Sequence, residues 1–148
     1  MSKFTCLVFC VVAASISKVY ASEEEKAAFR EAVKPIILEC STEHGVSIDK
    51  LKSAKAAGSA DGINTCFLGC VYKKAEVING KGEFDLDKGL IKLKEFVSND
   101  DDFAKLADIG KKCLSVNDKP VSDGEAGCER GAMLTACFLE HKAEVFIT

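Results

Sequence analysis

The sequence is poor in the residues that most enzyme sites need. Its 148 residues include two histidines, two prolines, two methionines and no tryptophan. Hydrolytic and zinc-dependent sites usually require a histidine beside a nucleophile or a metal ion. Neither His44 nor His141 lies in a His-Glu-x-x-His motif, and no Gly-x-Ser-x-Gly motif occurs. We therefore predict a protein that is not an enzyme and that uses no cofactor.

The sequence also lacks a basic cluster and a long hydrophobic run. Its lysines are scattered between acidic residues, whereas nucleic-acid binding needs a clustered basic face. The apolar stretch at residues 4–16 contains 13 residues, but a helix needs about 20 apolar residues to cross a bilayer. We therefore expect neither a nucleic-acid partner nor a membrane span.

The short apolar stretch has the form of a secretory signal peptide. Lys3 precedes it, and Val19 and Ala21 supply small residues at the two positions that determine cleavage. The alternative, a buried N-terminal helix, would put this apolar run directly before the acidic residues 22–25. Cleavage after Ala21 would leave one domain, residues 22–148, with 18 basic and 23 acidic side chains and a net charge of −5. We expect this domain to be secreted and extracellular.

Cysteine is the residue type that says most about this domain. Two of the eight cysteines lie in the predicted signal peptide, and the other six are Cys40, Cys66, Cys70, Cys113, Cys128 and Cys137. An even number in an oxidising compartment predicts disulfides, here three. A metal site is the alternative, but the Cys-x3-Cys pair lacks a second matching pair or histidine partners. We therefore predict three disulfides and no metal.

Helical geometry excludes some pairings of these cysteines. Cys66 and Cys70 are four residues apart, so on a helix their Cβ atoms lie about 5–6 Å apart, which is too far for a disulfide. Cys128 and Cys137 would face opposite sides of one continuous helix. Ten of the 15 pairings of six cysteines remain, and spacing alone does not choose among them.

Apolar residues recur at helical spacing along the domain, and no segment alternates between apolar and polar residues over the length of a strand. We predict an all-α fold of about six helices. A capping box of Ser22 and Glu25 starts the first helix, at residues 23–43, and Pro35 is expected to kink it. Gly45 then ends this helix.

Caps and turn residues place the later helices. Ser47 caps the second helix, in which Ile48 and Leu51 are expected to face inward. The third helix opens at Asp61 and reaches Val77 or Ile78, and residues 79–82 then form a turn. Asp85 caps the fourth helix, and residues 99–102 cap the fifth. The sixth helix begins at Ser122 or Asp123.

The six cysteines have the spacing Cys40-x25-Cys66-x3-Cys70-x42-Cys113-x14-Cys128-x8-Cys137. This spacing resembles the six-cysteine signature of insect odorant-binding proteins, and the resemblance spans the whole predicted domain. Two local strings also resemble this family, Ala-Val-Lys-Pro at residues 32–35 and Cys-Val-Tyr-Lys-Lys-Ala at residues 70–75. The gap before Cys128 and the short tail differ from the longer-tailed moth pheromone-binding branch, so no pheromone is assigned.

The resemblance implies a pairing, a fold and a function. The implied pairs are Cys40–Cys70, Cys66–Cys128 and Cys113–Cys137, one of the ten pairings that geometry leaves open. The implied fold is a set of helices around an apolar ligand cavity, stapled by three interlocked disulfides. The implied function is that of a carrier, in sensillar lymph or another body fluid, for small hydrophobic ligands such as odorants, pheromone-like molecules or other lipophilic compounds. An olfactory receptor and a second copy of the chain are further candidate partners.

The resemblance also implies ligand contacts at apolar positions of the later helices and the tail. These positions are Val71, Leu86, Leu90, Leu106, Ile109, Leu134, Phe138, Phe146 and Ile147. Because the chain has no tryptophan, Phe138 is expected to supply the aromatic wall beside the last cysteine. Ordinary core packing is the alternative at each position, because a sequence does not distinguish the wall of a cavity from a filled core.

The tail after the last helix suggests a pH response. Phe146 and Ile147 are apolar enough to cover a pocket, and His141 lies just before the tail. An unperturbed imidazole has a pKa of about 6.5, so His141 is the candidate switch for release of the ligand in mild acid.

A second function is compatible with the same features. A secreted, disulfide-stapled signalling or defence protein would have a fully packed helical core and would act through its surface. A closed apolar void of about 300 Å3 or more would favour the carrier, and a solid core would favour this alternative.

Overall fold

The computed structural model describes residues 22–141. The predicted signal peptide and the tail, with Phe146 and Ile147, lie outside the described residues. Within residues 22–141 the chain forms six α-helices and no strand, which confirms the all-α prediction. The helices are α1 (Glu23–His44), α2 (Ile48–Ala57), α3 (Thr65–Lys74), α4 (Leu86–Lys94), α5 (Asp100–Cys113) and α6 (Cys128–His141), with short 3-10 helices at Leu114–Asp118 and Gly124–Ala126 between α5 and α6.

Side-chain hydrogen bonds fix the starts of four helices where the sequence predicts them. The Ser22 hydroxyl accepts the Glu25 N–H at 3.2 Å, and the Glu25 carboxylate accepts the Ser22 N–H at 3.2 Å, which is the predicted capping box. Ser47, Asp85 and Asn99 cap α2, α4 and α5 through their side chains. Each cap satisfies backbone N–H groups that a helix start would leave unpaired.

The first two helices begin after the predicted cap residues, and α1 ends at the predicted glycine. α1 continues through Pro35 and ends where Gly45 adopts a left-handed conformation, with φ of 63°. Leu51 on α2 packs against the apolar cluster that contains Cys40 and Phe67. Ile48 is 37% exposed, so the prediction that it faces inward was wrong. Ile48 is the first residue of α2, and it is not among the residues that pack against the cluster that Leu51 contacts.

The start of α3 was predicted too early. α3 begins at Thr65 and not at Asp61. Gly62 has a left-handed backbone, with φ of 79°, which a helix cannot include. The Asn64 side chain then caps the helix by accepting the Cys66 N–H at 2.8 Å.

The end of α3 was predicted too late. The helix ends at Lys74, whereas the prediction continued to Val77 or Ile78. Glu76 has a positive φ of 60° and turns the chain out of the helix. Ile78 then forms an isolated antiparallel bridge with Phe84 on the other side of the predicted Asn-Gly-Lys-Gly turn.

The start of α6 also differs from the prediction. It begins at Cys128 and not at Ser122 or Asp123. Gly124 and Gly127 have left-handed backbones, with φ of 56° and 74°, so a 3-10 turn precedes the helix. The Asp123 carboxylate still reaches the helix start, where it accepts the Cys128 N–H at 2.7 Å.

Two apolar clusters form the core of the described residues. The α6 cluster has the buried members Ile78, Phe84, Ile109, Cys113, Val116 and Leu134, surrounded by the partly buried Tyr72, Val77, Leu86, Met133, Cys137 and Phe138. The α1 cluster has the buried members Cys40, Val46, Ile63 and Phe67, surrounded by the partly buried Ile36, Ile37, Leu51, Ala54, Leu68, Cys70 and Val71. Because α3 contributes side chains to both clusters, it lies between them.

Three disulfides join the helices. Cys40–Cys70 links α1 to α3, Cys66–Cys128 links α3 to α6, and Cys113–Cys137 links α5 to α6, with Cα–Cα distances of 5.8, 4.2 and 5.9 Å. These are the three pairs that the resemblance implies. The loop that each disulfide closes overlaps the next one along the chain, so the bridges are interlocked. Because Cys128 and Cys137 both belong to α6, this helix is tied covalently to both α3 and α5.

α3 and α6 cross with their backbones in contact. A Cβ atom at Gly69 would lie 2.6 Å from the carbonyl oxygen of Gly127, and one at Gly131 would lie 2.7 Å from the backbone nitrogen of Gly69. Real Cβ atoms do not approach backbone atoms this closely, so the contact requires glycine. The Cys66–Cys128 disulfide lies within one turn of it. We call this contact the glycine crossing; it is made by Gly69, Gly127 and Gly131.

Candidate ligand-binding site

Helices α3 to α6 bring apolar side chains together in the α6 cluster. Four of the predicted ligand contacts, Leu86, Ile109, Leu134 and Phe138, belong to this cluster. Leu134 has no exposed surface and Ile109 retains 6%, whereas Leu86 and Phe138 are only partly buried. Leu134 and Ile109 are therefore packed in the interior of the cluster. Leu86 and Phe138 keep apolar surface that another molecule can cover.

Three aromatic rings meet in this cluster. The Phe138 ring packs edge-on against Tyr72, with ring centroids 6.3 Å apart, and against Phe84, with centroids 6.0 Å apart. Edge-to-face packing is a favourable arrangement of aromatic rings. Phe138 is therefore part of an aromatic group with Tyr72 and Phe84, which are not among the predicted ligand contacts.

The Tyr72 hydroxyl is the polar group among these rings. Its oxygen lies 2.9 Å from Oγ1 of Thr135, whose hydroxyl lies 2.8 Å from the carbonyl oxygen of Gly131. Burial raises the pKa of the Tyr72 hydroxyl above its ordinary value, and the hydrogen bond with Thr135 offsets part of that rise. The hydroxyl therefore stays protonated and neutral at physiological pH.

The position of Leu86 depends on a glycine in α5. A Cβ atom at Gly110 would lie 2.6 Å from Cδ1 of Leu86, so the leucine side chain rests against the α5 backbone. Sequence reasoning missed Gly110, because a glycine inside a helix predicts only a lower helix propensity. The absence of a side chain at this position decides how closely Leu86 approaches α5.

The other predicted contacts lie outside the α6 cluster. Val71 packs against the α1 cluster. Leu90 and Leu106 are partly buried, and each lies one helical turn from a cluster member, Leu86 on α4 and Ile109 on α5. They therefore share helix faces with these two cluster members. The two tail residues fall outside the part of the chain that the structure describes.

A buried arginine joins two connecting segments to α6 through hydrogen bonds. Arg130 on α6 is 6% exposed and donates hydrogen bonds to the carbonyl oxygens of Gly82 at 3.3 Å, of Lys119 at 2.9 Å and of Val116. These bonds tie the turn before α4 and the 3-10 helix after α5 to α6. A guanidinium can do this because it offers several donors in one rigid plane. Sequence reasoning missed it, since a single arginine in a helix is usually exposed.

Both histidines lie at helix ends, His44 as the last residue of α1 and His141 as the last residue of α6. The ligand atoms of Glu43, His44 and Cys70 lie within 4.8 Å of one another. The Cys70 sulfur is bonded to Cys40, so it is not a thiolate that could bind a metal ion. This group therefore lacks the ligands of a zinc site.

A separate, open cleft lies where the start of α1 meets the connection between α4 and α5. Its walls include Glu24, Glu25, Lys94 and Phe96. The Glu25 carboxylate accepts hydrogen bonds from Ser98, from the N–H at 3.0 Å and from the hydroxyl. Charged walls that are open to water do not suit an apolar ligand. We interpret this cleft as a contact between helices.

The described residues form an all-helical domain that is stapled by three disulfides. Residues 22–141 match the model of the PBP/GOBP family. The B1 protein of Tenebrio molitor is 27% identical over 117 residues, which are 78% of this chain and 82% of that protein. The odorant-binding protein dmelOBP28a from Drosophila melanogaster has a similar structure, with a TM-score of 0.61 and 21% identity, over 81% of this chain and 96% of that chain.

The chain belongs to the PBP/GOBP family, because the family model matches well over half of it. This is a family of secreted, non-enzymatic carriers that bind small apolar ligands. Between residues 22 and 141, no helix has the length and apolar character that crossing a membrane requires.

Proposed function

We propose that this protein is a secreted carrier that holds a small hydrophobic ligand in an internal pocket beside the α6 cluster. One observation carries the proposal, namely that Leu86, Tyr72 and Phe138 are only partly buried and pack against the cluster that contains the fully buried Leu134. The ligand class consists of odorants, pheromone-like molecules or other lipophilic compounds carried in sensillar lymph or another body fluid.

The walls of the proposed pocket come from α4, α5 and α6. Leu86 and Leu90 share one face of α4, and Leu106 and Ile109 share one face of α5, because residues three or four apart are neighbours on a helix. Phe138 contributes aromatic surface from α6. Each Å2 of this apolar surface that a ligand covers contributes about 25 cal/mol to binding. The three disulfides support such a pocket, because they oppose the collapse of the helices around it.

The tail completes the proposed pocket. We propose that Phe146 and Ile147 cover the ligand, and that His141 is the group through which mild acid opens this cover. The position of His141 at the end of α6 supports this role, because the tail starts directly after it.

A displacement assay tests the carrier function. The domain from residue 22 onward is titrated with the fluorescent apolar probe N-phenyl-1-naphthylamine, and long-chain alcohols, aldehydes and esters then compete with it. We expect binding with a dissociation constant of about 1 μM, which corresponds to about −8 kcal/mol, and displacement by part of the panel. If nothing in the panel displaces the probe, the alternative of a signalling or defence protein with a packed core is supported instead.

Two tryptophan variants locate the pocket. Leu106→Trp adds volume at a partly buried position of the proposed wall, so it should weaken probe binding about tenfold or more. Leu38→Trp is the matched control, because Leu38 is 46% exposed on α1, and it should leave the affinity unchanged. Equal affinities of the two variants would place the ligand away from α5.

A further inference from the structure

The hydrogen bonds of Tyr72 and Thr135 have a fixed direction. The carbonyl oxygen of Gly131 can only accept, so the Thr135 hydroxyl, 2.8 Å away, donates to it. Thr135 then has only lone pairs to offer to Tyr72. The Tyr72 hydroxyl therefore donates to Thr135 across the 2.9 Å between their oxygens. One backbone carbonyl thus orients both hydroxyl protons.

The Tyr72 oxygen keeps the capacity to accept a hydrogen bond. A phenol has one proton to donate and lone pairs to accept with, and the proton is already engaged with Thr135. The ring carrying this oxygen packs against Phe138 and belongs to the same cluster as Leu86. A molecule that covers Phe138 therefore lies beside the ring that carries this acceptor.

We propose that Tyr72 is the polar anchor of the ligand pocket, and that it favours ligands with a hydroxyl group over ligands of equal size whose oxygen can only accept. This inference rests on the proposed carrier function. Tyr72 touches the ligand in this arrangement. Thr135 is a positioning residue, because it holds the Tyr72 proton away from the ligand.

The preference follows from a count of hydrogen bonds. An alcohol gains one bond by donating to the Tyr72 oxygen, and no existing bond is disturbed. An ether can accept from Tyr72 only if the bond between Tyr72 and Thr135 breaks, so one bond replaces another. The difference is one neutral hydrogen bond, which corresponds to about a fivefold difference in affinity.

The test uses decan-1-ol and its isomer methyl nonyl ether, each displacing N-phenyl-1-naphthylamine. The ratio of their affinities is compared between variants, because the hydration of the free ligands then cancels. Tyr72→Phe should lower the ratio of alcohol to ether affinity about fivefold. Thr135→Val frees the Tyr72 proton to bind either oxygen, so it should lower the same ratio through tighter binding of the ether.

Thr42→Val is the matched control. The Thr42 hydroxyl makes the same type of bond, to the carbonyl oxygen of Leu38 at 3.0 Å, but on an exposed face of α1, so the ratio should not change. An unchanged ratio in Tyr72→Phe, or weaker ether binding in Thr135→Val, overturns the anchor while the carrier function stands. If neither the probe nor the two ligands bind the wild-type protein, the carrier function itself fails and the anchor with it.

Discussion

α6 and the first half of α1, residues 23–35, are attached to the rest of the molecule in different ways. At the glycine crossing the backbone of α6 touches the backbone of α3, and the Cys66–Cys128 disulfide closes the contact covalently. Arg130 adds hydrogen bonds from α6 to two further segments. The position of α6 is therefore set by backbone atoms, which cannot move apart without breaking several contacts together.

The first half of α1 is attached through side chains near the surface. None of residues 23–35 is buried. The Phe29 ring packs edge-on against Phe96 with centroids 5.6 Å apart, and Glu25 accepts hydrogen bonds from Ser98. Each of these contacts can break on its own.

The difference indicates which part of the protein stays fixed when the structure opens. Backbone contacts in a packed core leave little room to relax, whereas segments with few buried contacts open locally at low cost in free energy. We therefore expect the first half of α1 to move before α3 and α6 separate. In a carrier, this arrangement would keep the walls at the α6 cluster in place while a more peripheral segment moves.

Truncation of a phenylalanine should give the largest contrast between the two regions. Phe84→Ala removes a core ring that packs against Phe138 of α6 and is 5% exposed, so it should lower the free energy of unfolding by about 3–5 kcal/mol. Phe29→Ala removes a ring that is 38% exposed, and the loss of its edge contact should cost about 1 kcal/mol. Urea unfolding of both variants, with the disulfides intact, measures the two losses. Equal losses of unfolding free energy would show that the first half of α1 is packed as firmly as the core, which contradicts the contrast between the two regions.

The helix starts were predictable where a single nearby side chain decides them. The four caps that the sequence predicted act through hydrogen bonds within a few residues, so local sequence specifies them. The starts of α3 and α6 were not predictable in this way. Gly62 and Gly127 adopt left-handed conformations there, and many helices tolerate a glycine without such a break.

In the candidate site, too, some residues were predictable from the sequence and others were not. Leu86, Leu134 and Phe138 were named from the sequence, and the structure places them in one cluster. Gly110 and Arg130 were missed, because their roles depend on partners that are distant in the chain. Apolar periodicity shows which side of a helix faces the core, but it does not show where a side chain meets a backbone or which carbonyl it reaches.

Alanine at the glycine crossing should have the next largest effect. The new Cβ of Gly69→Ala or Gly131→Ala would lie 2.6 or 2.7 Å from backbone atoms, so each variant should lose about 1–3 kcal/mol of unfolding free energy. Gly89→Ala is the matched control in α4, where the nearest atom to a Cβ is a side-chain carbon of Phe84 at 3.9 Å. This control should stabilise the protein by about 0.4–1 kcal/mol. If Gly69→Ala and Gly131→Ala behave like this control, the two helices can separate and the crossing does not fix α6.

The smallest expected effect concerns Glu25, which holds the first half of α1 to Ser98. Hydrogen bonds from the Ser98 hydroxyl, and next from its N–H, lower the pKa of Glu25 below its ordinary value of 4.5. A carboxylate with a lower pKa in the folded state stabilises the fold above its unfolded pKa, and this contribution is lost as the pH falls through the folded pKa. Glu25→Gln should therefore be less stable than wild type at pH 7, and the difference should shrink below pH 4.5.

Glu24→Gln is the matched control for this prediction, because it also removes a carboxylate from the first turn of α1 and loses the same interaction with the helix N-terminus. Glu25 lies near the surface, so the additional loss in Glu25→Gln should be only about 0.2–1 kcal/mol. Unfolding of the three proteins between pH 7 and pH 3 measures this excess. If the excess persists unchanged at pH 3, the attachment to Ser98 does not depend on the charge of Glu25. The first half of α1 would then be held by packing, as α6 is, and the contrast between the two regions would be smaller than the structure indicates.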